Sequence, residues 1–208
     1  MMQEKALASI YCIDTFGTIT VRISFGEDKE RQIIQRLGRG DASAMDDLYA
    51  LAADKLAGVC ARYISAEADR KDILQESFIK IFTRIGSFDY RGHGSLMAWM
   101  TRIVVNESLL WLRQRQRDCF VQTVADVPDD VADDPPDTTA LSEDELLSAV
   151  QALPPGYRAV FNLYVVEGKS HQEISRLLHI KPDTSASQLH RAKRLLAANI
   201  YQLIRKKQ

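Results

Sequence analysis

The sequence has 208 residues, 46% hydrophobic and 26% charged, with 27 lysines and arginines against 28 aspartates and glutamates. That length allows one large domain or two small ones, and the apolar fraction excludes a chain disordered throughout. The longest stretch free of charge, 146–157, contains Pro154-Pro155 and falls short of the roughly 18 apolar residues a membrane span needs.

In chain order, the first five residues carry an acid, and only a short apolar patch, 6–13, follows, so no secretory leader is expected. Residues 18–25 alternate like a strand, but in a helical chain such a strand has nothing to pair with; 1–26 is read as an N-terminal extension. The cysteines Cys12, Cys60 and Cys119 form no CxxC pair, which suits buried or inert thiols in a reducing compartment better than disulfides or zinc.

From there the apolar spacing is helical. Residues 30–37 carry Ile33, Ile34 and Leu37, and 42–63 carry Met45, Leu48, Tyr49, Leu51, Ala52, Leu56, Val59, Cys60 and Tyr63. A third helix over 66–85 places Ile73, Leu74, Phe78, Ile81, Phe82 and Ile85 inward. A loop rich in glycine, serine and aromatics, 86–95, leads to a fourth over 96–117, with Leu96, Trp99, Met100, Ile103, Val104 and Leu110. This last helix ends in Arg113, Arg115 and Arg117, favourable charge for a helix C-terminus.

Charge then separates sharply. Residues 1–120 hold 17 basic and 16 acidic side chains, 121–148 none and 9, and 149–208 10 and 3, giving nets of +1, −9 and +7. The acidic part, 124–137, has three prolines and no helical or strand period, and reads as an extended, self-repelling tether.

Beyond it, 141–153, 155–167, 170–178 and 183–204 read as four helices. Ser170 and Glu173 have the spacing of a capping box, and Asp183 or Thr184 would cap the last helix after Pro182. A short helix, a turn over 178–182 and a longer helix is the helix-turn-helix order, whose second helix enters the major groove of DNA by its N-terminal residues. Thr184, Ser185, Ser187, Gln188, Arg191 and Lys193 are read as its exposed positions, able to donate to bases or phosphates.

Taken together, Asp72-Ile-Leu-Gln-Glu-Ser-Phe78, then 92–106, Leu153-Pro-Pro-Gly-Tyr-Arg158, Glu173-Ile-Ser-Arg-Leu-Leu178 and Gln188-Leu-His-Arg-Ala-Lys193 resemble the extracytoplasmic-function sigma factors of bacterial RNA polymerase, in order and on both sides of a linker. The resemblance implies an all-α fold of two small helical domains: a four-helix sigma region 2 over 27–118 and a region 4 helix-turn-helix domain over 141–208, joined by an acidic flexible linker, 119–140. It implies that Asp72, Gln75 and Glu76 meet core RNA polymerase. A solvated helix face is the plain alternative for those three. It also implies that the loop 88–95 and the following helix hold the single-stranded minus-ten element of promoter DNA, with Phe88, Tyr90, Arg102, Asn106, Arg113 and Arg117 as candidates. There an amide serves base edges and guanidiniums serve phosphates. Trp99 is assigned to the core, while Phe88 and Tyr90 are open between stacking on DNA and anchoring the loop.

The second domain would read the minus-thirty-five element through Thr184, Ser185, Ser187, Gln188 and Arg191. Departures from the family pattern fall at Leu110, where a polar residue is common, and at His179 and Asp183, where glycines are usual. They continue over 185–188, where the family's Val-Lys-Ser-Arg is Ser-Ala-Ser-Gln. His171, His179 and His190 lack metal-ligand spacing and read as surface or phosphate-facing side chains. Family members are commonly held by an anti-sigma factor, a partner that here rests on the resemblance alone. No phosphate loop, nucleophile elbow or metal motif is present, so neither chemistry nor cofactor is expected, in a cytoplasmic protein. The competing reading is a stand-alone helix-turn-helix regulator that binds duplex DNA by itself.

Overall fold

The computed structural model describes residues 29–115, 136–139 and 141–207, and every regular element among them is helical. The strand-like stretch 18–25, Cys12, Cys119, Arg117 and all but 136–139 of the linker lie outside the described residues. The helices form two compact units, with the division inside the fourth long helix between Trp111 and Leu112.

The first unit begins with α1, Lys29–Gly38, and α2, Ser43–Tyr63. Next come α3, Glu67–Arg84, closed by a 3-10 turn, Ile85–Ser87, and α4, Ser95–Arg115, whose last turn lies beyond the division. Each bound falls within a few residues of the spacing-based one. In α2 the residues Ala44, Leu48, Ala52, Leu56 and Cys60 recur every fourth position and are fully buried, a seam that faces α1 on one side and α3 on the other. Met45 and Tyr49, expected inside, are instead 41% and 53% exposed, because they sit one step round the helix from that seam. Phe82 and Trp99 are only half-buried, which corrects the core places expected for both. The hydroxyls of Ser77 and Ser108 are buried but satisfied, donating to the carbonyls of Ile73 and Val104 at 2.7 and 2.8 Å.

Between α1 and α2 the chain turns through Gly40 at φ 79°. Arg36 braces this corner, donating to Asp41 at 2.8 Å, to the Ser43 hydroxyl at 2.7 Å and to Asp47. A second tie runs from the first helix to the last. Glu30, only 7% exposed, accepts from the backbone N–H groups of Gly94 at 2.9 Å, Leu96 at 3.3 Å and Met97 at 3.4 Å. The free amides that open α4 are thus satisfied by a carboxylate from more than sixty residues earlier in the chain.

The second unit contains α5, Glu143–Gln151, and α6, Pro155–Phe161, which widens into the π turn Asn162–Val166. It continues with α7, His171–Leu178, and α8, Pro182–Lys207. The long α8 is the hub on which α5, α6 and α7 all pack, through its buried Leu189, Ala192, Leu196 and Ile200. Both Ser142 with Glu145 and Ser170 with Glu173 form reciprocal capping boxes, the second as expected. Pro182 is the first helical residue of α8, where its missing N–H costs nothing, so Asp183 and Thr184 lie inside the helix rather than capping it.

Replacing Ser170 by alanine is expected to lower this unit's stability in urea unfolding by about 1 kcal/mol, the usual worth of an N-cap. The Glu173 carboxyl is held below its ordinary range, first by the Ser170 backbone N–H and then by the Ser170 hydroxyl. A depressed folded value means that its contribution is complete above the unfolded pKa, about 4.3, and is lost as the pH falls through the lower folded one. The acid side of the stability profile is therefore expected to flatten in Glu173→Gln.

Candidate functional site

Along the outer face of α3, Asp72, Gln75 and Glu76 are all exposed, while Ile73, Ser77 and Ile81 point into the core. Of the three, Gln75 borders an apolar groove. The groove, of about 500 Å³ between α2 and α3, is lined by Tyr49, Ala53, Leu74, Phe78, Ile79 and Phe82, with Asp54, Lys71 and Gln75 at its edge. Phe78 is its floor, with ring centroids 4.7 Å from Tyr49 and 5.9 Å from Phe82. Ile79 is 49% exposed. Tyr49 is expected inside on its apolar character and faces outward instead, whereas Ile79 is not among the residues expected on the inner face of α3.

In the loop before α4, the Phe88 ring lies 5.1 Å from that of Trp99, tilted by 44°, an arrangement that ties the loop to the helix. Tyr90 is half-buried and Arg91 exposed beside Asp89. Gly92 and Gly94 take φ values of 118° and 83°, which only glycine adopts without strain, and Ser95 locks the turn by donating to the Gly92 carbonyl at 2.6 Å. The fixed start that Glu30 gives α4 therefore also fixes the end of this loop. On α4, Arg102 and Asn106 are exposed one turn apart, Leu110 continues the same stripe at 36% exposure, and Arg113 follows, half-buried. This stripe carries no negative charge, since Glu107 lies off it, paired with Lys80 of α3.

The helix-turn-helix of the second unit is α7, a turn of three residues and α8. The turn depends on His179, which takes the left-handed φ of 55° and ψ of 42° and donates its N–H to the Ser175 carbonyl. A histidine pays backbone strain there that glycine avoids, so His179→Gly is expected to raise the thermal stability of this unit by up to about 1 kcal/mol without altering the turn. A fall in stability would show that the side chain contributes more than the conformation costs.

Two of the residues expected on the exposed face of α8 are not there. Ser185 is fully buried and Gln188 is 5% exposed, both on the seam that continues through Leu189 and Ala192. Thr184 and Arg191 are half-buried, and Arg191 donates to the Tyr157 hydroxyl at 3.3 Å. Of the expected positions only Ser187 is fully open, and it shares its face with Asp183, Ala186 and His190, spaced three and four residues apart. His190, read from the sequence as a surface or phosphate-facing side chain, is exposed on this face, although it was not among the residues expected to contact DNA. Lys193 lies 5.9 Å from the centroid of the Tyr164 ring.

Among the described residues no helix is long and apolar enough to cross a membrane, and no group of three histidine, cysteine or acidic side chains is disposed to hold a metal ion. The Cys60 thiol is buried, and burial pushes its pKa up.

Two family patterns match the chain. Sigma-70 region 2 covers residues 48–118, and Sigma-70 region 4 covers 143–196. The ECF RNA polymerase sigma-E factor of Haemophilus influenzae is 28% identical over 186 residues, which are 84% of this chain and 97% of that protein. The RNA polymerase sigma-H factor of Pseudomonas aeruginosa is 27% identical over 190 residues, 86% of this chain and 97% of the relative. Among solved structures, the sigma factor RpoE in complex with the anti-sigma factor NepR from Bartonella quintana aligns at 20% identity and a TM-score of 0.45, over 75% of this chain and 96% of that one.

Proposed function

The chain belongs to the extracytoplasmic-function sigma factors of the sigma-70 family, and from that premise we propose how its two units share the work of an RNA polymerase sigma factor. The region 2 domain, 27–118, binds core polymerase through Asp72, Gln75 and Glu76, whose exposure beside an apolar groove suits a polar rim around a packed contact. Its glycine-rich loop and the stripe of Arg102, Asn106 and Arg113 hold the melted minus-ten strand: Asn106 offers an amide to a base edge and the arginines meet phosphates. With its ring against Trp99, Phe88 acts as the loop's anchor, which leaves Tyr90 as the aromatic available for stacking.

The second unit, over 141–208, reads the minus-thirty-five duplex with the open face of α8, helped by the +7 charge of residues 149–208. The acidic residues of 119–140 serve as a tether that duplex DNA repels. The protein carries no chemistry of its own and works in the cytoplasm, where the polymerase supplies catalysis. An anti-sigma factor is its expected inhibitor.

The observation that carries this reading is the joint presence, in order, of region 2 and region 4 in one chain, the second with an exposed recognition-helix face. Mixing the purified chain with bacterial core polymerase and measuring complex formation and run-off transcription on a promoter library tests it. Selective initiation that depends on the added chain is expected. Tight sequence-specific binding to duplex DNA by the chain alone, with no affinity for core, would instead establish a stand-alone regulator.

A further inference from the structure

Position 185 departs from the valine usual in the family, and its surroundings show how the fold accommodates the change. Ser185 is fully buried, and a buried hydroxyl is costly unless it is hydrogen-bonded. Its partner is His171, whose Nδ1 lies 3.0 Å from Ser185 Oγ. His171 is the first residue of α7, and Ser185 belongs to the first turn of α8. This one bond therefore joins the N-terminal turns of both helices of the motif, the ends through which a helix-turn-helix meets DNA. The imidazole is also held on its face: its ring stacks on Tyr164 of the π turn, with centroids 4.7 Å apart and planes 24° apart.

We propose that His171 is a positioning residue for minus-thirty-five recognition, setting through Ser185 the angle at which α8 presents Ala186, Ser187 and His190. A valine in this place would be held by shape alone, which tolerates small rotations. A hydrogen bond between a stacked ring and a buried hydroxyl has direction, and fixes the helix against turning about its axis. The inference rests on the proposed reading of the second unit as the duplex-binding one.

The test uses the full chain with core polymerase on two promoter libraries, one randomised at the minus-thirty-five element and one at the minus-ten. His171→Phe keeps the stack on Tyr164 and removes the bond; Ser185→Val removes it from the other side. Each is expected to change the relative use of minus-thirty-five sequences by about fivefold, the scale of one buried hydrogen bond, with minus-ten preferences unchanged. The double variant should match either single one, because both remove the same interaction, and His171→Gln, which still reaches the hydroxyl, should restore part of the preference. Minus-thirty-five preferences within twofold of the unaltered chain in both single variants would overturn the proposal. So would losses at both elements in step with falling thermal stability, which would reduce the pair to packing. An unaltered chain that initiates with no minus-thirty-five preference would overturn the duplex-binding reading itself.

Discussion

Reversing the two outer acids of α3, Asp72→Arg with Glu76→Arg, is expected to weaken binding to core polymerase by about 100-fold or more while leaving the first unit folded. Both side chains are exposed, so the change should alter stability by no more than about 0.5 kcal/mol. Within an interface, placing like charges opposite one another or stranding a partner's cation costs several kcal/mol, and about 2.7 kcal/mol already corresponds to 100-fold in affinity. Competition against a labelled sigma factor for core measures the effect, and circular dichroism melting checks the fold. Glu143→Arg, an exposed reversal in the second unit, is the control and should stay within twofold. Unchanged core affinity in the double reversal would move the polymerase contact away from this face.

Removing the carboxylate of Glu30 should damage the molecule in a different way. Glu30→Ala is expected to cost about 2–4 kcal/mol, because it strands several amide donors at a buried helix start. Glu30→Gln should fall between, since one amide oxygen can still accept but the NH₂ group now confronts N–H donors. The functional cost should concentrate where the loop before α4 works: strand opening, followed by permanganate reactivity of the minus-ten thymines, should fall further than core affinity. A loss in urea unfolding below about 0.5 kcal/mol in Glu30→Ala would show that solvent satisfies those donors without it.

Much of this arrangement is legible in the residues themselves. A seam such as Ala44, Leu48, Ala52, Leu56 and Cys60 repeats at the pitch of one face, so the existence and bounds of α2 follow from spacing. What residue type alone could not assign was the side of the helix. Met45 and Tyr49 are apolar yet face outward, while Ser185 and Gln188 are polar yet face inward, and in each case the angle from the buried seam decides. Had position been weighed before chemistry, the run 185, 188, 189, 192 and 196 would have marked the buried side of α8 and left His190 opposite it. The reach of Glu30 to α4 was beyond any such reading, because it joins segments more than sixty residues apart through a side chain whose partners are backbone amides and leave no mark on composition. The turn at His179 lay between these cases: the backbone conformation followed the family's glycine, although the residue had changed.

The wide turn that ends α6 has a geometric consequence of its own. At Asn162 the helical ladder shifts, so that the N–H of Glu167 reaches back five residues to the Asn162 carbonyl at 3.0 Å. A turn of this kind stores one surplus residue, so the residues it carries are rotated relative to a straight α-helical continuation by the step of a single residue, roughly 100°. Tyr164, on which His171 rests, lies inside that turn. Deleting Asn162 or Leu163 is expected to let the ladder close in its ordinary register and swing Tyr164 off the imidazole. Chain length acts here as an extra half-plane of atoms does in a crystal, fixing by count, not by chemistry, the direction in which the next layer lies.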